Sequence, residues 1–186
     1  MGVAIVKKLT EDLYIIKEGK NSMEAMDYIA YIPNLENQNP IKMLSIREIK
    51  SNVKRGLDKL VKPFFDDPHM IDWNKDFNNF IAFTFLLRVK LYIDYIFKRG
   101  LDKLPFIKAI SLRKDSLSLA YQIALYLKDN DPDIVLPDQY QKVLLDQELF
   151  EKFFKIVEDV TFRSNQYVVK RAFVNFSTEM NKFFPK

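Results

Sequence analysis

Cysteine is absent from the 186 residues, glycine occurs four times and histidine once. Without cysteine there is no disulfide, thiol nucleophile, iron–sulfur cluster or thiolate zinc site. The glycines, Gly2, Gly19, Gly56 and Gly100, never cluster, which excludes phosphate-binding loops and dinucleotide fingerprints. A Ser-His-Asp triad would have to use His69, and no serine sits in a Gly-x-Ser-x-Gly elbow. Four glycines and eight prolines are too few for a low-complexity or disordered chain. Uninterrupted long apolar runs are also missing. The segment 77–97, FNNFIAFTFLLRVKLYIDYIF, has the length of a membrane span but carries Arg88, Lys90 and Asp94, each costing about 2.5–3.5 kcal/mol at a bilayer centre. The opening MGVAIVKKLTED has too short an apolar run for a signal peptide, and Val6 stands where a myristoylation signal needs Ser or Thr. A cytoplasmic protein is expected, with no membrane contact, cofactor, metal or recognisable active site; a noncatalytic protein is the expectation, with an enzyme using the acids around Asp66–Asp76 as a third reading.

What is present is a core. Hydrophobic residues make up 48% of the chain, with 16 Phe and 9 Tyr, and a chain of this length buries a sizeable interior. Residues 3–8 and 13–17 are rich in β-branched and aromatic side chains and read as a small hairpin. Asn21–Ile32 reads as a short helix, with Asn21 and Glu24 in capping-box spacing. PNLENQNP, bounded by Pro33 and Pro40, is a loop. Ser45-x-x-Glu48 is a capping box opening a helix that reaches Lys62, with Ile46, Ile49, Val53, Leu57 and Leu60 as its apolar stripe. DDPHMIDWNKD is an interhelix loop closing on Asp76 as helix cap; its carboxylates and His69 match no metal-site spacing. Helices are expected from Asp76 to Arg99, from Pro105 to Ile110, from a cap at Ser111 or Asp115 to Asn130, from Pro137 to Val160 with a break near Asp146, and from Asn165 to Phe184. In the last, Val169, Ala172, Phe173, Phe176, Met180, Phe183 and Phe184 share one face. The expected fold is mainly α: a single helical domain of about six to seven helices with a small N-terminal β-hairpin. Residues 1–40 form the hairpin plus short helix packed on the main body, and 41–186 form the helical domain.

KRGLDKL occurs twice, at Lys54–Leu60 and Lys98–Leu104. In the second copy, Lys98 and Arg99 suit the negative end of a helix, Gly100 suits its left-handed terminus and Pro105 blocks continuation, so the copy reads as a stop and restart. In the first copy the apolar stripe continues through Gly56, so the helix runs on.

The net charge is +4, with a pI near 9.0, which suits an anionic partner without demanding one. The 45–62 segment carries Arg47, Lys50, Lys54, Arg55, Lys59 and Lys62 against Glu48 and Asp58. Lys50, Lys54, Arg55 and Lys59 are candidate phosphate contacts, Trp73 a candidate base stacker, and Lys98 and Arg99 a second basic cluster.

The segment DFNNFIAFTFLLRVKLYIDYIF (76–97) resembles a helical stretch in the C-terminal domain of the archaeal/eukaryotic-type primase large subunit. There, an aromatic-aliphatic run ends in paired leucines, followed by an acidic residue and aliphatics. Phe80, Ala82, Leu86, Leu87, Asp94 and Ile96 carry the likeness. Lys90 replaces a usual Gly, Asn79 stands where a basic residue is common, and the cluster-binding cysteines are missing. That points to the cluster-free noncatalytic accessory subunit of some archaeal primases. It implies a helical module that helps a catalytic subunit hold nucleotide, template or primer end. The matched positions are apolar, so no nucleic-acid contact carries over. The expectation is a noncatalytic nucleic-acid-binding accessory subunit of a replication or other nucleic-acid-processing complex, its partners being protein subunits and a DNA or RNA backbone. The alternative is a helical protein-interaction or assembly subunit.

Overall fold

The computed structural model describes residues 5–10, 13–18, 26–31, 42–67, 69, 71–97, 116–159 and 166–184. The first three of these segments, with 42–45, form an antiparallel meander in the order β1 (Ile5–Thr10), β2 (Leu13–Glu18), β3 (Met26–Tyr31) and β4 (Lys42–Ser45). The expected hairpin is present, but it is half of a sheet. Within the expected Asn21–Ile32 helix, Met26–Tyr31 is instead β3, which pairs with β2 from Leu13↔Tyr31 to Glu18↔Met26, while Asn21 and Glu24 lie outside the described residues. Local propensity there is mixed, and a neighbouring strand that offers hydrogen bonds along the whole segment decides it. Four strands also remove the marginal stability of a lone hairpin. Ile15 lies opposite Ile29, and Ile29 opposite Leu44, so these side chains share the face turned to the helices. Ile15 and Ile29 are buried there.

Six helices follow among the described residues: α1 (Ile46–Asp66), α2 (Trp73–Tyr95), α3 (Ser116–Asn130), α4 (Asp138–Val143), α5 (Gln147–Glu158) and α6 (Gln166–Phe183). α2 is the hub, packing against α1, α3, α5 and α6, while α1 and α3 also meet the sheet. The sequence of α2 explains its place. Phe80, Ala82, Phe83, Phe85, Leu86, Leu87, Val89, Tyr92 and Ile93 surround its axis and are all buried, as in a helix enclosed by neighbours. Phe64 of α1, Phe80 and Phe83 of α2, and Phe173 and Phe176 of α6 form a chain of ring contacts 5.4–5.7 Å between centroids.

Several boundaries differ from expectation. The Ser45–Glu48 capping box does not form. Ser45 is the last residue of β4 and makes no side-chain cap bond, and the Glu48 carboxylate instead accepts from the Tyr95 hydroxyl at 3.2 Å. α1 continues past Lys62 through Pro63 to Asp66, because the next turn buries Phe64 in the aromatic chain. α2 starts at Trp73, capped by Asp72, whose carboxylate accepts from the Asn74 N–H at 3.2 Å. Asp76 is therefore not the cap; it sits in the first turn and accepts from the Ser177 hydroxyl at 2.9 Å. The break near Asp146 is present, and Asp146 caps α5 by accepting from the Leu149 N–H. On α6, Val169, Ala172, Phe173, Phe176 and Met180 are buried as expected, but Phe183 is exposed. The expected 105–110 helix, the second KRGLDKL copy, and the Ser111 and Asp115 caps lie outside the described residues. The first copy lies within α1, where Gly56 faces the Leu91 side chain of α2.

Candidate functional site

Along α1 the 3.6-residue repeat separates two halves. Ile46, Ile49, Val53, Leu57, Val61 and Phe64 are buried, and Arg47, Lys50, Lys54, Arg55, Lys59 and Lys62 are all exposed. The cations cover the whole polar half of the helix rather than one narrow stripe, with Asp58 among them. Among the described residues, Arg47, Lys54, Lys59 and Lys62 make no ion pair, and Arg55 donates to the Asn52 side-chain oxygen at 2.6 Å. Lys50 differs. Its ammonium lies 3.3 Å from Asp131, although the side chain remains 46% exposed. Of the six, it is the one already held by a carboxylate from another element. Lys98 and Arg99 lie outside the described residues.

Asp131 is a buried carboxylate at the end of α3, and sequence reasoning missed it. One oxygen accepts from the Arg88 guanidinium at 3.3 Å; the other accepts from the Asp133 N–H at 3.0 Å and forms an ion pair with Lys50. It thereby ties α1, α2 and the start of the α3–α4 connection. Beside it, the Tyr92 hydroxyl is buried without a hydrogen-bond partner among the described residues. Burial first, then the Asp131 carboxylate, pushes this phenol far above its ordinary range, with Arg88 pulling the other way. A second buried network is fully connected. Tyr140 donates to Asn79 at 2.6 Å, Asn79 donates to Ser177 and Asn181, and Ser177 donates to Asp76.

Trp73 is half-buried. Phe65 stacks on it at 6.0 Å and 19°, while Phe77 and Phe80 pack against its ring at 6.1 and 5.5 Å. The rings this corner offers to solvent are Phe65, 61% exposed, and Phe77, 48% exposed. Extending the α1 stripe one turn would have found Phe65, since Phe64 falls on the buried side and Phe65 off it. Exposed Asp66, Asp67 and Asp72 rim the corner. Asp67 also accepts from the His69 N–H at 3.2 Å. Among the described residues, no three His, Asp or Glu side chains converge on a possible cation position, and no helix is long and apolar enough to cross a membrane.

Arg88 and Asp131 carried no sequence signal, because a pairing across 43 residues is created only by folding. The chain was compared with family models, with curated proteins and with solved structures, and none of the three gave a match.

Proposed function

We propose that the chain is a noncatalytic nucleic-acid-binding accessory subunit, working in the cytoplasm within a replication or other nucleic-acid-processing complex, with α1 as its phosphate-contacting element. The observation that carries this reading is the polar half of α1. Six cations face solvent there against Glu48, Asp58 and Asp66, and among the described residues only Lys50 is neutralised from outside the helix. Lys54, Arg55, Lys59 and Lys62 are the contacts this favours. Phosphate contacts of this kind position a strand without reading its sequence.

Fluorescence anisotropy with labelled single- and double-stranded oligonucleotides over a salt series tests it. Four phosphate contacts give a slope of log K against log salt of about −3.6 for duplex and about −2.8 for single strands. No binding at about 50 mM salt, where such contacts are strongest, refutes it.

One observation favours a second reading, a protein-interaction subunit. The exposed Phe65 and Phe77 have the exposed Asp66, Asp67 and Asp72 close by along the chain, and these carboxylates repel phosphate and suit a partner segment that is apolar and basic. A partner that co-purifies from the native host and is lost on Phe65→Ser with Phe77→Ser, in a chain that binds no oligonucleotide, would carry this reading instead.

A further inference from the structure

A cleft of about 190 Å³ opens between α2 and the α3–α4 connection, lined by residues 81, 84, 85 and 88 on one side and 133–136 on the other. The α2 positions fall at i, i+3, i+4 and i+7, so they share one helix face. They bring a guanidinium, Arg88, to the same cavity as a carboxylate, Asp133, with Phe85, Ile134 and Leu136 as apolar lining.

The Arg88 side chain and the Asp133 backbone are held in place from behind by Asp131. Arg88 is anchored by one bond from Nη1 to the buried Asp131. A guanidinium carries five N–H donors, and the others make no hydrogen bond among the described residues. The Asp133 backbone N–H is fixed on the other Asp131 oxygen at 3.0 Å. Asp133 itself is exposed at the rim.

We propose that this cleft binds a free α-amino acid with a branched aliphatic side chain, its carboxylate on Arg88, its ammonium on Asp133 and its side chain against Phe85, Ile134 and Leu136. A carboxylate without an amine would meet repulsion from Asp133, and an amine without a carboxylate repulsion from Arg88. An ammonium and a carboxylate carried on one Cα satisfy the pair, which a peptide terminus, with one charge, does not. Size agrees: the cavity falls below the ~300–1,000 Å³ typical of larger ligands. The site uses none of the uncompensated α1 cations, so it stands or falls apart from the nucleic-acid reading.

Nitrogen–proton NMR titration of the full chain tests it, with leucine, isovalerate, isoamylamine and glycine as probes. Leucine should give saturable shifts confined to residues 81–88 and 133–136, with a dissociation constant of about 1 mM or tighter. Isovalerate, isoamylamine and glycine should bind roughly tenfold more weakly or worse. Asp133→Asn, a change at an exposed residue, should weaken leucine roughly tenfold and narrow its lead over isovalerate. Arg88→Lys keeps a charge for Asp131 while removing the planar fork, and should also weaken leucine. Thermal melts of each variant separate a lost site from a lost fold, and if Arg88→Lys unfolds, Asp133→Asn decides. Isovalerate binding as well as leucine, an unchanged leucine affinity in Asp133→Asn, or no saturable shift with leucine overturns the proposal.

Discussion

Two tyrosines with the same burial should respond to loss of their hydroxyls in opposite directions. Tyr92 is 2% exposed and Tyr140 is 4% exposed. The Tyr140 hydroxyl donates to Asn79 at 2.6 Å, whereas that of Tyr92 has no partner among the described residues. A buried polar group left unsatisfied costs about 1–3 kcal/mol. Tyr92→Phe removes that penalty and leaves a void about the size of one oxygen, worth roughly 0.3 kcal/mol at ~24 cal/mol per Å³. The net expectation is a gain of about 0.7–2.7 kcal/mol, or about 1–11 °C in Tm for a chain of this size. Tyr140→Phe does the reverse, because it strands the Asn79 carbonyl oxygen inside the core, and should lose about 1–3 kcal/mol. Urea denaturation and thermal melts of the two variants beside the parent chain measure both. The reasoning fails if Tyr92→Phe destabilises by more than about 0.5 kcal/mol, the usual spread of a neutral substitution. It also fails if both variants shift in the same direction, since burial alone would then explain them.

The same two phenols set a pH dependence: burial pushes both above their ordinary value, so the folded state favours the neutral form. Their contribution is complete below about pH 10 and is lost as pH rises beyond it, by up to ~1.4 kcal/mol per pH unit for each phenol. Denaturant midpoints between about pH 9 and 11 should fall less steeply in the Tyr92→Phe/Tyr140→Phe double variant than in the parent. Gly56→Ala should stabilise by about 1 kcal/mol from helix propensity, because the new Cβ would sit 3.7 and 3.8 Å from the Leu91 methyls, an ordinary contact; a lower Tm would contradict this. Lys54→Ala with Lys59→Ala should halve the duplex salt slope from about −3.6 to about −1.8. Lys50→Ala, whose ammonium is engaged by Asp131, should change that slope least in the same anisotropy series.

The sequence by itself determined that this is a mainly helical protein with a small N-terminal β element, and where most helices lie. α2, α4, α5 and α6 each announce themselves by apolar residues, by Pro137 or by the Asp146 break, and the basic half of α1 follows from the positions of its aliphatics. These signals are local: a 3.6-residue period needs no knowledge of what packs against it. Only the tertiary structure decided the rest. Met26–Tyr31 became a strand because β2 lies alongside it, Ser45 ended a strand rather than capping with its side chain, and Pro63 stayed inside α1 because Phe64 had a core to enter. The Arg88–Asp131–Lys50 ties and the Asn79 network join residues far apart along the chain, and folding buries the Tyr92 hydroxyl without a partner among the described residues. Hydrogen bonding and desolvation depend on which groups folding brings within about 3 Å of one another, and spacing along a single helix does not encode that distance.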